Sequence, residues 1–187
     1  MRNVCVFLGS AHGNDPIYEQ TAKDLARAIA GRGLELVYGG SNSGLMGVLA
    51  TTAMEAGGEV TGVIPQGLVD KEIAHPNLTR SHVVADMLAR KKTMIELSEA
   101  FVILPGGLGT LDELFEVVTW CQLGLSKAPC GLLNVNGYYD HLNGFLDRIA
   151  ESGFVAQRHR DMILCHEEPE ALLDMLERAE VPTPKFG

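Results

Sequence analysis

Residues 105–113 read "PGGLGTLDE", and both the glycines and the acids in that stretch are of types that do chemistry. The segment follows the apolar run "AFVIL" and opens an amphipathic one. At such a strand-to-helix junction, the backbone N–H groups of Gly106, Gly107, Gly109 and Thr110 form a phosphate site that the helix dipole favours. Glu113 follows one turn into the helix, where it reaches whatever the phosphate carries. A second cluster, Arg90, Lys91 and Lys92, sets three cations in a row in a chain whose net charge is −9. Snorkelling along apolar surface accounts for one such lysine; a run of three favours an anion site. Arg90 is also a suitable partner for Glu113, because a partly buried carboxylate is stabilised by a neighbouring cation.

The named nucleotide motifs do not fit. "GGSNSGL" has the glycine spacing of a P-loop, but Leu45 stands where the lysine is required. "GLGTLD" begins like a dinucleotide fingerprint and has Asp112 in place of its third glycine. Kinase, NTPase and ordinary NAD-dehydrogenase readings are thereby weakened, and a mononucleotide-type phosphate site remains. Neither the four scattered cysteines nor the six histidines show metal-ligand spacing. No metal and no cofactor is expected. His12 and His75 are of interest only for lying in loops near the expected ligand edge. The longer polar loop at residues 69–78 offers Glu72 as a ligand contact, although an ordinary surface loop explains it as well.

These residues must be positioned by regular elements. "NVCVFLG", "LELVYGG", "EVTGVIP", "SHVVA", "AFVILPG", "PCGLLNV" and "MILCHE" read as strands, continuous rather than alternating, as strands buried on both faces are. Helical patterns separate them; the first has Asp15 as N-cap, Pro16 in its first turn, and Gly31 and Gly33 at its end. The alternation predicts an α/β fold, a Rossmann-like open parallel sheet with helices on both faces, in a single domain over residues 1–180 with a frayed tail at 181–187. "FLGSAHG", "YGGSNSGLMG" and "LPGGLGT" each follow a strand and precede a helix, so all three converge on the ligand-binding edge of the sheet. In the helix after "PGG", Leu111, Leu114, Phe115, Val118 and Gln122 form the expected core stripe, with Glu113, Glu116 and Trp120 opposite. That face, carrying the only tryptophan, calls for a second subunit or a ligand. In the helix capped by Asp86, Met87, Leu88, Met94 and Ile95 form the expected apolar stripe, with Lys91 in its middle and Arg90 at its edge.

Composition is that of a globular protein, 46% hydrophobic and 21% charged over 187 residues. The acidic balance argues against a nucleic-acid partner. No run approaches the ~20 apolar residues of a membrane span, and nothing reads as a signal peptide. Cysteines within apolar runs read as reduced, buried thiols, which points to a cytoplasmic protein.

"PGGLGTLDE", "DMLARKKTM" and "YGGSNSGLMG" together, in this order and spacing, resemble the signatures of the Lonely Guy (LOG) family over nearly the whole chain. The resemblance implies a homodimeric phosphoribohydrolase that cleaves the N-glycosidic bond of adenine-type nucleoside 5′-monophosphates, typically cytokinin riboside 5′-monophosphates and often AMP, to free base and ribose 5-phosphate. It further implies Arg90 and Glu113 as the catalytic pair, with Gly107, Gly109 and Thr110 on the phosphate and Lys91, Glu72 and Thr119 as further substrate contacts. The chain departs from the family's pattern at "LGSA", at Ser41 and at Asp112. Such a cleavage passes through a ribosyl centre with oxocarbenium character, which a carboxylate at Glu113 stabilises while the phosphate loop anchors the other end. The competing class is a non-catalytic nucleotide carrier or sensor, which needs the glycine loops but neither Arg90 nor Glu113.

Overall fold

The structure, a computed structural model, describes residues 1–71, 73–180 and 183–185. Seven strands, β1 (Asn3–Phe7), β2 (Glu35–Tyr38), β3 (Val60–Pro65), β4 (Arg80–Val84), β5 (Phe101–Ile103), β6 (Cys130–Leu133) and β7 (Ile163–His166), form one sheet in the order β4-β3-β2-β1-β5-β6-β7. Every neighbouring pair is parallel. The helices are α1 (Pro16–Gly31), α2 (Gly44–Glu55), α3 (Gln66–Val69), α4 (Met87–Glu96), α5 (Leu108–Gln122), α6 (Asp140–Glu151), α7 (Gln157–Arg160) and α8 (Pro169–Arg178). All seven expected strands are present. The chain builds outward from β1 to β4, then returns to the other side of β1 with β5. The strand order therefore reverses between β1 and β5, and the crevice beyond their C-terminal ends is where such a sheet takes ligands.

Successive residues of the central strands enter different cores. Val4 and Val6 pack with Leu25 of α1, Leu49 of α2 and Leu172 of α8; Cys5 and Phe7 pack with Met94 of α4, Leu114 of α5 and Leu146 of α6. Burial on both faces is why these strands read as unbroken apolar runs. Edge strand β4 departs from this: four of its five residues are exposed. Helix α1 starts as expected, the Asp15 carboxylate accepting from the Ile17 N–H at 3.0 Å. Cys5, Cys121 and Cys130 are buried and Cys165 half-buried, all as free thiols. No helix among the described residues is long and apolar enough to cross a membrane. Of the terminal segment, the Lys185 N–H donates to the Gln122 carbonyl at 2.9 Å.

Two helices bury their expected apolar stripes only in part: Leu114 in α5 and Met94 and Ile95 in α4 are buried as expected, each beside a buried charged residue. In α5 the buried residues are Thr110, Glu113, Leu114, Val117 and Cys121, while Phe115 is exposed and Trp120 packs against the core. In α4 they are Arg90, Met94 and Ile95, with Met87 and Leu88 exposed. In both, a charged residue, Arg90 or Glu113, shares the buried face with core residues at the point where the helix borders a cavity.

The loops at the switch point touch through glycines. Gly44 has φ +54, and a Cβ there would collide with the Ser10 backbone. A Gly44→Ala change is expected to lower stability by at least ~2 kcal/mol, from positive-φ strain together with that clash, measured by denaturant unfolding against wild type; an unchanged midpoint would contradict the close approach.

Candidate active site

The three glycine loops converge as expected. The Gly9 N–H donates to the Pro105 carbonyl at 3.1 Å, joining the loop after β1 to the one after β5. A Cβ on Gly106 would lie 2.9 Å from Gly9 N and would collide with Thr110 Oγ1. The polar loop after α3 joins them: the Asn42 N–H donates to Ile73 O at 2.8 Å and the His75 N–H to Gly40 O at 2.9 Å. Between these loops and helices α4 and α5 lies a cavity of about 740 Å³, lined among others by Ser10, Ser43, Arg90, Lys91, Thr110 and Glu113. That volume suits a mononucleotide.

Helix α5 enters the cavity by its N-terminus. Gly107 is its N-cap and supplies no side-chain acceptor, so the first-turn N–H groups lack the usual N-cap side-chain bond. The first intrahelical bond there is from the Leu111 N–H to Gly107 O, at 3.1 Å. Thr110 is buried, while Gly107 and Gly109 are exposed to the cavity they line. Of the expected phosphate set, Gly106 stands behind the turn, lining a second, smaller cavity together with Gly107.

Glu113 is only 9% exposed. Burial pushes its carboxyl from an ordinary value of 4.5 to about 7, with Arg90 and Lys91 pulling down and Asp112 and Glu116 pushing up. Desolvation thus outweighs the cations, leaving a group populated in both protonation states near neutrality.

Arg90 is buried yet makes no ion pair with Glu113 among the described residues. Its Nε donates to Val63 O, within β3, at 3.2 Å and its Nη2 to Gly39 O, just beyond β2, at 3.1 Å. The guanidinium occupies space that a side chain at Gly39 would fill. Lys91 is held by two acids, with Nζ 2.9 Å from Asp112 and 3.0 Å from Glu116. These two carboxylates raise its pKa, chiefly through the Asp112 hydrogen bond. Sequence reasoning treated Asp112 only as a motif variant and Glu116 as one of the acids on the outer face; their spacings to Lys91 across two helices were not legible. Thr119 is exposed on α5 and is not among the cavity-lining residues. Glu72 lies outside the described residues. No group of three His, Cys, Asp or Glu among the described residues could hold a metal.

The raised pKa of Glu113 fixes the sign of a stability effect. The folded state holds the proton more tightly than the unfolded one, so this group's contribution is fully present below pH 4.5 and is lost as pH rises through about 7. Glu113→Gln is therefore expected to gain on wild type between those pH values, by an upper bound of ~3 kcal/mol. Thermal melts of both proteins across pH 5–8 (~4 melts each) check this, and parallel curves would refute it.

The family model described as "Possible lysine decarboxylase" matches residues 46–176, more than half the chain. Cytokinin riboside 5′-monophosphate phosphoribohydrolase LOG5 of Arabidopsis thaliana is 44% identical, over 94% of this chain and 77% of its own. The probable phosphoribohydrolase LOGL2 of Oryza sativa subsp. japonica is also 44% identical, over 94% and 72%. Among solved structures, the molybdenum cofactor binding protein of Rippkaea orientalis superposes with a TM-score of 0.69 at 21% identity, covering 95% of this chain and 96% of its own. The molybdenum cofactor carrier protein of Chlamydomonas reinhardtii gives 0.68 at 19%, over 96% and 100%. At those identities the structures show a shared fold alone.

Proposed function

The chain belongs to the Lonely Guy (LOG) family, and on that premise we propose a phosphoribohydrolase whose chemistry centres on Glu113. It hydrolyses the N-glycosidic bond of cytokinin riboside 5′-monophosphates, releasing free base and ribose 5-phosphate; AMP is a further substrate of the same kind. The observation that carries the site assignment is the placement of a buried carboxyl, pushed to about 7, one helical turn beyond an uncapped helix N-terminus on the same cavity. The decarboxylase of the family model's description is not the activity of the relatives, which are named phosphoribohydrolases.

The 5′-phosphate sits on the N–H groups of Gly107, Gly109 and Thr110, where the helix dipole favours an anion. Ionised Glu113 then faces C1′, stabilises the cationic ribosyl centre and takes a proton from the attacking water. The C1′–N bond breaks as the water oxygen adds, and the departing nitrogen takes a proton, so water supplies both the new hydroxyl and the new N–H. A carboxyl near 7 can pass that proton on, which gives the leaving base a donor. Arg90, fixed on two carbonyls, supplies a positive potential that keeps Glu113 from being still harder to ionise. Lys91 acts on the substrate side of the cavity through the geometry set by Asp112 and Glu116.

The protein is proposed to act as a homodimer in the cytoplasm. Met87, Leu88 and Leu108 are exposed apolar residues on the cavity rim, and Phe115 and Leu123 extend the patch along α5. A second copy seated there closes the cavity mouth, and Thr119, exposed on α5, belongs to that interface. Free, mostly buried thiols support the cytoplasmic reading.

Purified protein incubated with isopentenyladenosine monophosphate, AMP and adenosine is expected to release base from the monophosphates and not from adenosine, read by HPLC. Glu113→Gln is expected to lose at least ~100-fold in turnover while remaining folded; near-full hydrolysis by that variant would remove Glu113 from the mechanism. In light scattering the wild type should have twice the chain mass, and Phe115→Asp should shift it toward monomer with a raised KM. A wild-type monomer would end the dimer proposal.

A further inference from the structure

The loop before α5 is held from behind by features the mechanism does not use. Three successive carbonyls, those of Leu104, Pro105 and Gly106, are each taken by a donor. Tyr139 Oη donates to Leu104 O at 2.6 Å, the Gly9 N–H to Pro105 O at 3.1 Å, and Tyr138 Oη to Gly106 O at 2.6 Å. The two tyrosines come from the turn after β6, where Asn136 (φ 50) and Gly137 (φ 70) both sit in the left-handed region. Asn136 is the only such non-glycine among the described residues. A non-glycine in that region costs energy and is kept where the surroundings over-determine it. The Tyr138 ring is braced edge-on between Tyr18 and Tyr139, with centroids 5.8 and 4.9 Å away.

We propose that Tyr138 is a positioning residue for the phosphate site, its phenol locking the Gly106–Gly107 peptide in the one orientation that serves an anion. In a trans peptide the C=O and the following N–H point in opposite directions, and no peptide bond among the described residues is cis. Pinning the Gly106 carbonyl to Tyr138, on the smaller cavity behind the turn, therefore turns the Gly107 N–H away from that cavity. Gly107 is also part of the main cavity's wall. A peptide flanked by two glycines meets little steric resistance to flipping. Once flipped, it would present a carbonyl oxygen, which repels phosphate, in place of an N–H. The phenol removes that alternative before any ligand arrives. Tyr139 provides an internal comparison: it is fully buried and its carbonyl partner, Leu104, precedes Pro105, which has no N–H to aim.

This inference rests on the phosphate assignment above but not on catalysis, so it is tested by binding. Calorimetric titration with ribose 5-phosphate is expected to show affinity about three- to tenfold weaker for Tyr138→Phe than for wild type, the range expected for one hydrogen bond. The melting temperature should change little, since the half-exposed Gly106 carbonyl can be hydrated. Tyr139→Phe should do the reverse, lowering the melting temperature by leaving a buried carbonyl unpaired while keeping affinity within about twofold. Equal affinity of Tyr138→Phe and wild type would overturn the proposal, as would affinity losses in both variants that merely follow their melting temperatures. If wild type binds ribose 5-phosphate but releases no base from any nucleotide, the hydrolase reading fails while this comparison still stands.

Discussion

Keeping a carboxyl dry beside the proposed phosphate site costs free energy, and much of the cavity's construction follows from the burial of Glu113. Desolvation alone drives the group toward its neutral form, and two further acids, Asp112 and Glu116, push the same way. Arg90 and Lys91 oppose them. The balance falls near neutrality, where one side chain can both carry charge and hold a proton. A more exposed carboxylate would stay ionised and have no proton to give; one buried without cations would stay neutral and could not meet a cationic sugar.

The cations act without clamping the acid they influence. Arg90 is satisfied by the Val63 and Gly39 carbonyls, and Lys91 by Asp112 and Glu116. A direct bidentate pair between Arg90 and Glu113 would have held the carboxylate ionised and occupied its oxygens. Anchoring the guanidinium on backbone leaves Glu113 unclamped by it, as the proposed mechanism requires. It also explains Gly39: the arginine lies where any side chain at that position would be.

On the anion side the design is made of backbone. Glycines let the loops after β1, β2 and β5 approach at the switch point, and the carbonyls before α5 are turned to donors behind it. On the proposed assignment, what is left facing the cavity is N–H. In the proposed mechanism, binding energy from the remote phosphate orients the ribose over Glu113.

The sequence by itself determined the seven parallel strands, the presence of helices on both faces, and the convergence of three glycine loops, because period, punctuation and glycine position are local properties written along the chain. It also singled out Arg90 and Glu113. It placed Leu114, Met94 and Ile95 correctly on buried faces of α5 and α4 but set Phe115, Met87 and Leu88 with them, since an apolar stripe predicts burial only where the neighbour is apolar; here both helices border a cavity, and Arg90 and Glu113 are buried beside it while those three are exposed. Tertiary structure alone decided that Arg90 binds carbonyls rather than Glu113, that Lys91 is shared between two acids, and that Tyr138 reaches back to Gly106. Each of these joins residues far apart in sequence whose separation depends on how α4, α5 and the turn after β6 are set against the sheet, a geometry that no local pattern encodes.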